Sequence, residues 1–273
     1  MHISIDRDPI HVGIGGWNYE PWRGGHFYPP GLPVSRELAY AAQRLGSIEV
    51  NGTFYALQRP ETYARWAAEV PEGFVFALKA HRLATYRRSL WDGIEAAQRF
   101  IDSGIGALGN RLGPILWQLM PSKAFDPEEL EPFLACLPES LDGRPLLHAL
   151  EVRHPSFASP DYLALARAYG VATVFTDSPD YPGIADPTAP FCYARLMRAD
   201  AAEPLGYPPA ELDRWAAHVR DWASGGLPDT LPLVDAASTR ALARAPRPVF
   251  VYFISGAKER NPAAAMGLIE RLG

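Results

Sequence analysis

Two short stretches of the sequence each place an acidic residue two positions before another polar residue. Glu49 and Asn51 lie in SIEVNGTFY, and Glu151 and Arg153 lie in LEVRH. Side chains alternate between the two faces of a β-strand, so residues two apart share one face while Val50 takes the other. Because buried carboxylates need compensating partners, both pairs predict a polar site on one face of a sheet.

Four further polar residues end or follow other apolar runs. FVFALK ends at Lys79, PILWQL contains Gln118, FCYARL contains Arg195, and Asp177 follows VATVFT. If these runs are parallel strands of one barrel, their carboxyl ends meet at one mouth, where barrel enzymes hold their active sites. We therefore expect these residues to converge with the two pairs.

The predicted chemistry combines anion binding with proton transfer. Lys79, Arg153 and Arg195 would hold an anionic group, and Glu49 or Glu151 would act as general base if burial raised its pKa. We predict catalytic roles for Glu49, Glu151 and Lys79. The predicted ligand-binding residues are Trp17, Tyr19, Asn51, Tyr55, Gln118, Arg153, Asp177 and Arg195.

The same charges have a purely structural interpretation. Three acids and three bases would converge on the mouth, and such a balanced set could neutralise itself as an ion-pair network. Burying six charges is, however, an expensive way to stabilise a fold. We therefore favour a site for a polar or anionic small molecule.

The predicted mouth is also rich in aromatic residues. A flat aromatic surface could stack a sugar or a base, but a long loop also needs apolar anchors, so both roles stay open. These residues are Trp17, Tyr19, Trp22, Phe27, Tyr28, Phe54 and Tyr55.

A metal site is a weaker interpretation of the same residues. Glu49, Glu151, Asp177, His81 and His154 could supply oxygen and nitrogen ligands. The lysine and arginines between them argue against a divalent ion, and no HxH or HExxH spacing occurs. We predict neither a metal nor a cofactor.

Eight apolar runs alternate with mostly helical segments. Short, continuously apolar strands are typical of parallel sheets buried on both faces, and eight such units predict an α/β TIM (β/α)8 barrel. The prediction is a single domain over residues 1–273. An open doubly wound sheet ranks second, because GIGGWNY lacks the GxGxxG spacing.

The predicted strands are residues 11–17, 47–55 (whose GTFY forms a turn), 74–79, 114–119, 146–152, 171–176, 191–196 and 249–253. The predicted helices are residues 35–45, 59–69, 87–103, 126–136, 159–169, 208–223 and 262–272.

Composition narrows the function classes. A net charge of −5 argues against a general nucleic-acid binder. Cys136 and Cys192 form no spacing motif, so a reducing compartment is the default. No apolar run reaches about 18 residues, and MHISIDRDPI shows no signal-peptide core. We predict a cytoplasmic protein without a membrane segment.

Four long motifs carry a family resemblance. They read GIGGWNYEPWRGGHFYPPGL, IEVNGTFYALQRPETYARWAAEVPEGFVFALKA, LGPILWQLMP and LEVRHPSF, and the resemblance that rests on them spans nearly the whole chain in order. With them the sequence resembles the YecE-like family, the domain of unknown function numbered 72. The resemblance implies a TIM-barrel fold and brings no established activity.

Three positions depart from the pattern of that family. Tyr86 and Met197 each stand where the family has a histidine, and Ile254 begins a stretch where it has two asparagines. These changes remove polar groups from the predicted mouth. If those groups are catalytic in the family, the departures imply binding without turnover or a different substrate.

We predict a hydrolase or lyase that acts on a polar or phosphorylated small molecule at the C-terminal mouth of the barrel. The first alternative is a non-enzymatic ligand-binding barrel, which the three departures favour. The second is a metal-dependent phosphodiesterase acting on nucleic acid, which rests only on analogy with other TIM-barrel nucleases. A nucleic-acid partner is accordingly not favoured.

Overall fold

Eight parallel strands close into a barrel in the computed structural model, which describes residues 10–242 and 244–273. Two further short strands form a separate hairpin. The strands are β1 Ile10–Gly15, β2 Ser47–Val50, β3 Val75–Lys79, β4 Leu112–Gln118, β5 Ser140–Leu141, β6 Arg144–Pro145, β7 His148–Glu151, β8 Ala172–Thr176, β9 Cys192–Leu196 and β10 Val249–Phe253.

The barrel strands follow one another around the barrel in the order in which they occur along the chain. The hairpin of β5 and β6 stays outside this order, and β10 pairs in parallel with β1 to close the barrel. The predicted TIM barrel is therefore confirmed, and the open doubly wound sheet is wrong. Each barrel strand falls within or overlaps one of the eight predicted apolar runs.

Alternate residues of each barrel strand point into the lumen. Ser47 Oγ and Tyr252 OH are 2.7 Å apart, and Tyr193 OH donates to Glu49 Oε2 at 2.6 Å. These side chains come from strands far apart in sequence and meet inside the barrel. Ile48, between Ser47 and Glu49, packs outward in the core under the helices. Burial of both faces explains why the strands are continuously apolar in sequence.

Small residues in the middle of the lumen make room for two tyrosines. A Cβ atom at Gly13 would lie 2.1 Å from the carbonyl oxygen of Ser47 and 3.3 Å from the Tyr252 ring. Ala77 faces the same space. The Tyr193 and Tyr252 rings, whose centroids are 5.0 Å apart, fill it and support the layer of side chains above.

Nine α-helices surround the barrel over residues 10–242 and 244–273. They are α1 Glu37–Ala42, α2 Pro60–Glu69, α3 Arg82–Thr85, α4 Ile94–Ile101, α5 Pro127–Ala135, α6 Pro160–Ala168, α7 Pro209–Ala223, α8 Ala236–Arg240 and α9 Asn261–Leu272. Two caps lie at the residues expected from the sequence. The Asp126 carboxylate accepts a hydrogen bond from Glu128 N in α5, and Ser159 Oγ accepts one from Tyr162 N in α6.

Two predicted helices begin later than the sequence indicates. Ser35 lies in a 3-10 turn, and α1 begins at Glu37. Within the helix predicted over residues 87–103, α4 begins only at Ile94, after a 3-10 turn at Trp91–Gly93, and the short α3 precedes the predicted helix. Gly93 supplies the reason, because a Cβ atom there would lie 1.9 Å from the carbonyl oxygen of Ala84. The chain therefore folds back tightly on α3 before α4 can start.

None of the helices formed by residues 10–242 and 244–273 has both the length and the apolar character to cross a membrane. The cytoplasmic location stays a prediction. Residues 1–9 lie outside the described part of the chain, so the expectations for that segment, including its place in the domain, are likewise untested. Cys136 and Cys192 are both free thiols.

Candidate active site at the C-terminal mouth

A buried layer of polar side chains closes the C-terminal end of the lumen. Five barrel strands each contribute one residue from their last or next-to-last position. The five side chains lie at the same end because all the strands are parallel, and each residue is at least nine-tenths buried. They are Glu49 on β2, Lys79 on β3, Gln118 on β4, Glu151 on β7 and Arg195 on β9.

Arg195 joins the two glutamates of this layer. Its Nε and Nη2 donate to the Glu49 carboxylate at 3.1 and 3.0 Å, in a bidentate pair. Its Nη1 donates to Glu151 Oε2. Because one guanidinium holds two carboxylates, the side chains of β2, β7 and β9 are connected across the lumen.

The remaining oxygens of the two carboxylates also have donors. Arg153 Nε donates to Glu151 Oε1 at 2.7 Å, and Tyr193 OH donates to Glu49 Oε2 at 2.6 Å. All four carboxylate oxygens are therefore hydrogen-bonded. We call these five residues, Arg195, Glu49, Glu151, Arg153 and Tyr193, the arginine–glutamate cluster.

The arginines determine the protonation of the cluster. Burial alone would raise the pKa of Glu151, but Arg195 and Arg153 hold it below its ordinary value. Burial alone would lower the pKa of Arg195, but Glu151 and Glu49 raise it overall. Glu151 is therefore an ionised charge at neutral pH. A general base with a raised pKa, as expected from the sequence, does not describe it.

Lys79 is buried beside this cluster without a carboxylate of its own. Across residues 10–242 and 244–273, no acid lies within ion-pair distance of its ammonium. The two glutamates of the layer, Glu49 and Glu151, are bound by arginines instead. Its Nζ instead lies 3.9 Å from the centroid of the Phe54 ring. Burial, followed by repulsion from Arg195, lowers the pKa of Lys79 to about 8.

Gln118 is the second polar residue of the layer with an unused group. Its side chain is 2 % exposed, and Oε1 accepts no hydrogen bond from the described residues. Gln118 ends β4, next to the strand of Lys79 and directly opposite Glu151 in register. We refer to Lys79, Phe54 and Gln118 as the lysine side of the layer.

Asp177 belongs to a different cluster from the other predicted acids. Its carboxylate accepts hydrogen bonds from Met197 N and, at 2.9 Å, from Tyr207 OH. Burial raises its pKa to about 6, although both hydrogen bonds oppose the rise. Asp177 therefore holds the loop after β9 in place. It has no hydrogen bond to the arginines that bind Glu49 and Glu151, so it does not join these two acids as the sequence led us to expect.

A cavity of about 660 Å³ opens next to the buried layer, between the loops that follow β7, β8, β9 and β10. Arg153 and Arg198 supply its positive charges, and Asp180 and Asp200 lie on its exposed rim. Tyr181 stacks on Arg153, with 4.3 Å from the guanidinium carbon to the ring centroid. Arg153 thus touches both the cavity and the buried Glu151.

The predicted aromatic residues divide between packing and the mouth. Trp17 packs edge-to-face on Trp66 of α2, with ring centroids 5.2 Å apart, so it anchors its loop to the outer core. Tyr19 lies under Lys258, whose Nζ is 4.3 Å from its ring centroid. Tyr55 is 68 % exposed and contacts Phe54. Of the predicted ligand-binding aromatics, Tyr55 is therefore the most accessible.

Asn51 and two of the three departures, Tyr86 and Ile254, complete the mouth. Asn51 follows β2 and donates through Nδ2 to the carbonyl oxygen of Glu49 at 3.4 Å. Tyr86 packs on Phe54 with ring centroids 5.0 Å apart, and burial raises its pKa. Ile254 places an apolar side chain in the lumen, where the resemblance implies asparagine.

Sequence reasoning missed Tyr193 and Tyr181 as site residues, and it named Phe54 only as one of the aromatic residues of the predicted mouth. Tyr193 had a usable signal, because it lies two positions before Arg195 and shares its strand face. Tyr181 had none, since it lies in the Pro-rich crossover between β8 and β9, where no periodicity indicates a direction. Phe54 lies in a turn after β2, and only the folded chain brings it under Lys79.

The described residues contain no group of three or more His, Cys, Asp and Glu side chains arranged to hold a metal ion. His81 and His154 accept hydrogen bonds from backbone N–H groups two residues further on. Each ring therefore caps a turn at the rim, apart from the glutamates.

The barrel and the buried charged layer define a TIM-barrel protein with a candidate active site at its C-terminal mouth. Residues 11–273 match the family model described as "Protein of unknown function DUF72". The chain belongs to the DUF72 family, which confirms the resemblance found in the sequence.

Two curated relatives are similar over part of their length. The UPF0759 protein YecE of Escherichia coli K12 is 28% identical over 148 residues, which are 54% of this chain and 50% of YecE. The UPF0759 protein YunF of Bacillus subtilis 168 is 26% identical over 182 residues, which are 62% of this chain and 61% of YunF. The matched segments thus span about half to three fifths of these relatives.

Solved structures of two DUF72 proteins share the fold. The one from Thermotoga maritima MSB8 has a TM-score of 0.69 at 20% identity and covers 96% of this chain and 98% of its own. The one from Enterococcus faecalis V583 has a TM-score of 0.64 at 16% identity, with 96% and 95% covered. SacUVDE has a TM-score of 0.54 at 10% identity, with 96% and 97% covered. At these identities the similarity concerns the fold alone.

Proposed function

We propose that this protein is a hydrolase or lyase that acts on a polar or phosphorylated small molecule at the C-terminal mouth of the barrel. One observation carries the proposal: among the described residues, Lys79 is buried in the polar layer with no acid within ion-pair distance of its ammonium. Burial and repulsion from Arg195 outweigh the attraction of Glu49 and Glu151, so this charge destabilises the fold and folding alone does not explain it. Perturbed ionisable groups of this kind cluster at functional sites.

Each predicted residue takes a role that its contacts support. Lys79 exchanges the proton, because a pKa of about 8 lets it act as base or acid near neutral pH. Arg153 faces the cavity and binds the anionic group of the ligand. Glu49 and Glu151 act as fixed negative charges held by Arg195, since all their oxygens already accept hydrogen bonds.

The ligand-binding barrel without catalysis remains the second candidate. Its specific support is the saturation of both glutamates, which leaves no free carboxylate in the polar layer, together with the apolar Ile254 in the lumen. A metal-dependent phosphodiesterase acting on nucleic acid ranks third. The two buried carboxylates that it would need as ligands are committed to Arg195.

The proposal is tested with a panel of phosphorylated and carboxylated small molecules. Each compound is assayed for binding by thermal shift and for conversion by mass spectrometry. We expect at least one compound to be converted, and Lys79→Met to lower the rate by about 100-fold or more.

Lys123→Met is the matched control, because the Lys123 ammonium is already paired with Glu129. It should leave the rate unchanged. Conversion that survives in Lys79→Met would contradict the role of Lys79. Binding without conversion of any compound would favour the non-enzymatic barrel instead.

A further inference from the structure

We propose that the Lys79 amine forms a Schiff base with the carbonyl carbon of a small aldehyde or ketone that carries an anionic group. This inference rests on the proposed function and deepens it, because it names the substrate class and assigns Lys79 as the nucleophile. It makes the reaction a lyase-type reaction that proceeds through a covalent imine.

The first argument is the use of lysine in this chain. The sequence contains 23 arginines but three lysines, at positions 79, 123 and 258. Lys123 pairs with Glu129, and Lys258 lies over the ring of Tyr19. Arginine stays protonated in proteins, whereas lysine can lose its proton and become a nucleophile. A chain that otherwise prefers arginine therefore places one of its three convertible cations in the polar layer.

The second argument is the geometry around the amine. Lys79 ends β3 and lies in the layer with Glu49, Glu151 and Arg195, yet both carboxylates are bound by other groups. The Phe54 ring contacts the amine on one side without offering it a hydrogen-bond acceptor. A desolvated lysine next to another cation is a standard arrangement for an amine nucleophile.

The third argument is an unused acceptor on β4, the strand that pairs with the strand of Lys79. Gln118 Oε1 is buried and has no donor among residues 10–242 and 244–273. An addition of the amine to a carbonyl group creates a new hydroxyl group, which is a donor. The carbinolamine that forms at Lys79 can therefore satisfy an acceptor that the protein alone leaves unpaired.

The protonation of Lys79 is compatible with this chemistry. Burial and Arg195 lower its pKa to about 8, so a useful fraction of the amine is neutral near physiological pH. Lys258 also has a lowered pKa, because it is half-buried. It lies in the loop after β10, outside the polar layer, and serves as an internal comparison.

The step is balanced without an oxidant or reductant. The nitrogen lone pair of Lys79 attacks the carbonyl carbon, the C=O π electrons move to oxygen, and a proton passes from nitrogen to that oxygen. The carbinolamine then takes up a proton, its C–O bond breaks, and water leaves. Loss of the proton from nitrogen leaves a neutral imine, and addition of water reverses the sequence.

The cavity next to the layer selects the anionic group. Arg153 contacts Glu151 with Nε and lines the cavity, where Arg198 supplies a second positive charge. Asp180 and Asp200 share that lining, and they are exposed at its rim like Arg198, so Arg153, whose side chain is 15 % exposed, is the sheltered charge. Arg153 lies close enough to Lys79 to help lower its pKa, so a substrate with its carbonyl group at Lys79 can place a phosphate or carboxylate against Arg153.

The test is reductive trapping. The full chain is incubated near neutral pH with dihydroxyacetone phosphate, pyruvate or uncharged dihydroxyacetone, each with sodium cyanoborohydride. The modified lysine is then identified by peptide mass spectrometry. We expect dihydroxyacetone phosphate or pyruvate to label Lys79 about tenfold faster than Lys123 or Lys258. Lys79→Arg should keep the charge and lose the adduct.

The uncharged compound tests the anion requirement. Dihydroxyacetone should label Lys79 about tenfold more slowly than its phosphate, the factor that corresponds to about 1.4 kcal/mol of binding. Equal labelling by both compounds would overturn the anionic substrate class.

Labelling of Lys79 no faster than that of Lys123 and Lys258 with all three compounds would overturn the Schiff base. Conversion of a panel compound that needs Lys79 but yields no trapped adduct would refute this inference and leave the proposed function standing.

Discussion

The two sides of the polar layer differ in how their charges are satisfied. In the arginine–glutamate cluster, every carboxylate oxygen of Glu49 and Glu151 accepts a hydrogen bond, and Arg195 joins the two acids. On the lysine side, Lys79 has no acid within ion-pair distance among the described residues, and Gln118 Oε1 is unpaired. A saturated network rigidifies a fold, whereas unpaired buried groups cost stability. The first side therefore holds the site together, and the second is free to react.

The largest effect is expected when the saturated side is broken at its centre. Arg195→Met leaves two buried carboxylates without their shared partner, so the free energy of unfolding should fall by about 5 kcal/mol, the upper end for a broken buried pair. Urea denaturation measures this loss. Arg198→Met, at an exposed arginine of the neighbouring loop, is the control and should change stability by less than about 0.5 kcal/mol. Equal stability of the two variants would contradict the comparison.

A smaller loss is expected for Glu49→Gln. The amide keeps the shape and one acceptor oxygen, and Arg195 retains Glu151, so we expect a loss of about 3 kcal/mol. For a chain of this size that lowers the melting temperature by several degrees, since about 1 kcal/mol corresponds to about 2–4 °C. Thermal unfolding measures it, with Glu61→Gln in the first turn of α2 as the exposed control. An unchanged melting temperature would remove Glu49 from the structural cluster.

Removal of Lys79 should raise the free energy of unfolding, whereas the two substitutions above lower it. Its pKa is lowered in the folded state to about 8, so between about pH 8 and 10.5 the unfolded chain binds the proton that the folded chain has lost. The contribution of this group to stability therefore rises with pH in that window and is unfavourable below it. At pH 7 the free energy of unfolding of Lys79→Met should therefore exceed that of the wild type by about 1–3 kcal/mol. The variant should also lack the increase in stability between about pH 8 and 10.5.

Urea denaturation at several pH values tests this gain. Lys123→Met is the control, because its paired ammonium should make removal neutral or destabilising. Destabilisation by Lys79→Met at pH 7 would show that Lys79 serves the fold.

The smallest effect is expected at Asp177, outside both sides. Its pKa is raised by burial to about 6, so the folded state holds a proton between about pH 4 and 6 that the unfolded chain releases. Its contribution to stability therefore falls as pH rises through that window. Asp177→Asn should abolish this dependence and stay within about 1 kcal/mol of wild type at pH 7. A pH profile of unfolding that keeps its slope in the variant would assign the titration to another group.

Much of the fold follows from local pattern. The eight barrel strands are recognisable because residues buried on both faces form continuous apolar runs, and Asp126 and Ser159 mark helix starts by their capping chemistry. The conformation of the region from α3 to α4 could not be predicted from local pattern. Its conformation depends on the contact between Gly93 and Ala84, which no periodicity records.

The sequence by itself determined which residues reach the polar layer. Strand parity places Glu49 and Asn51, and Glu151 and Arg153, on common faces, and the parallel arrangement brings strand ends together. Those rules depend on positions along one strand, so they can be applied before the chain is folded.

Only the tertiary structure decided how these groups pair. Arg195 rather than Lys79 binds Glu49, and Asp177 turns to Met197 and Tyr207. Partner choice depends on distances between elements far apart along the chain, such as the 146 residues between Glu49 and Arg195. The same packing determines how deeply each charge is buried. Within residues 10–242 and 244–273, Lys79 is therefore left without an acid at ion-pair distance, because Arg195 holds both glutamates of the layer.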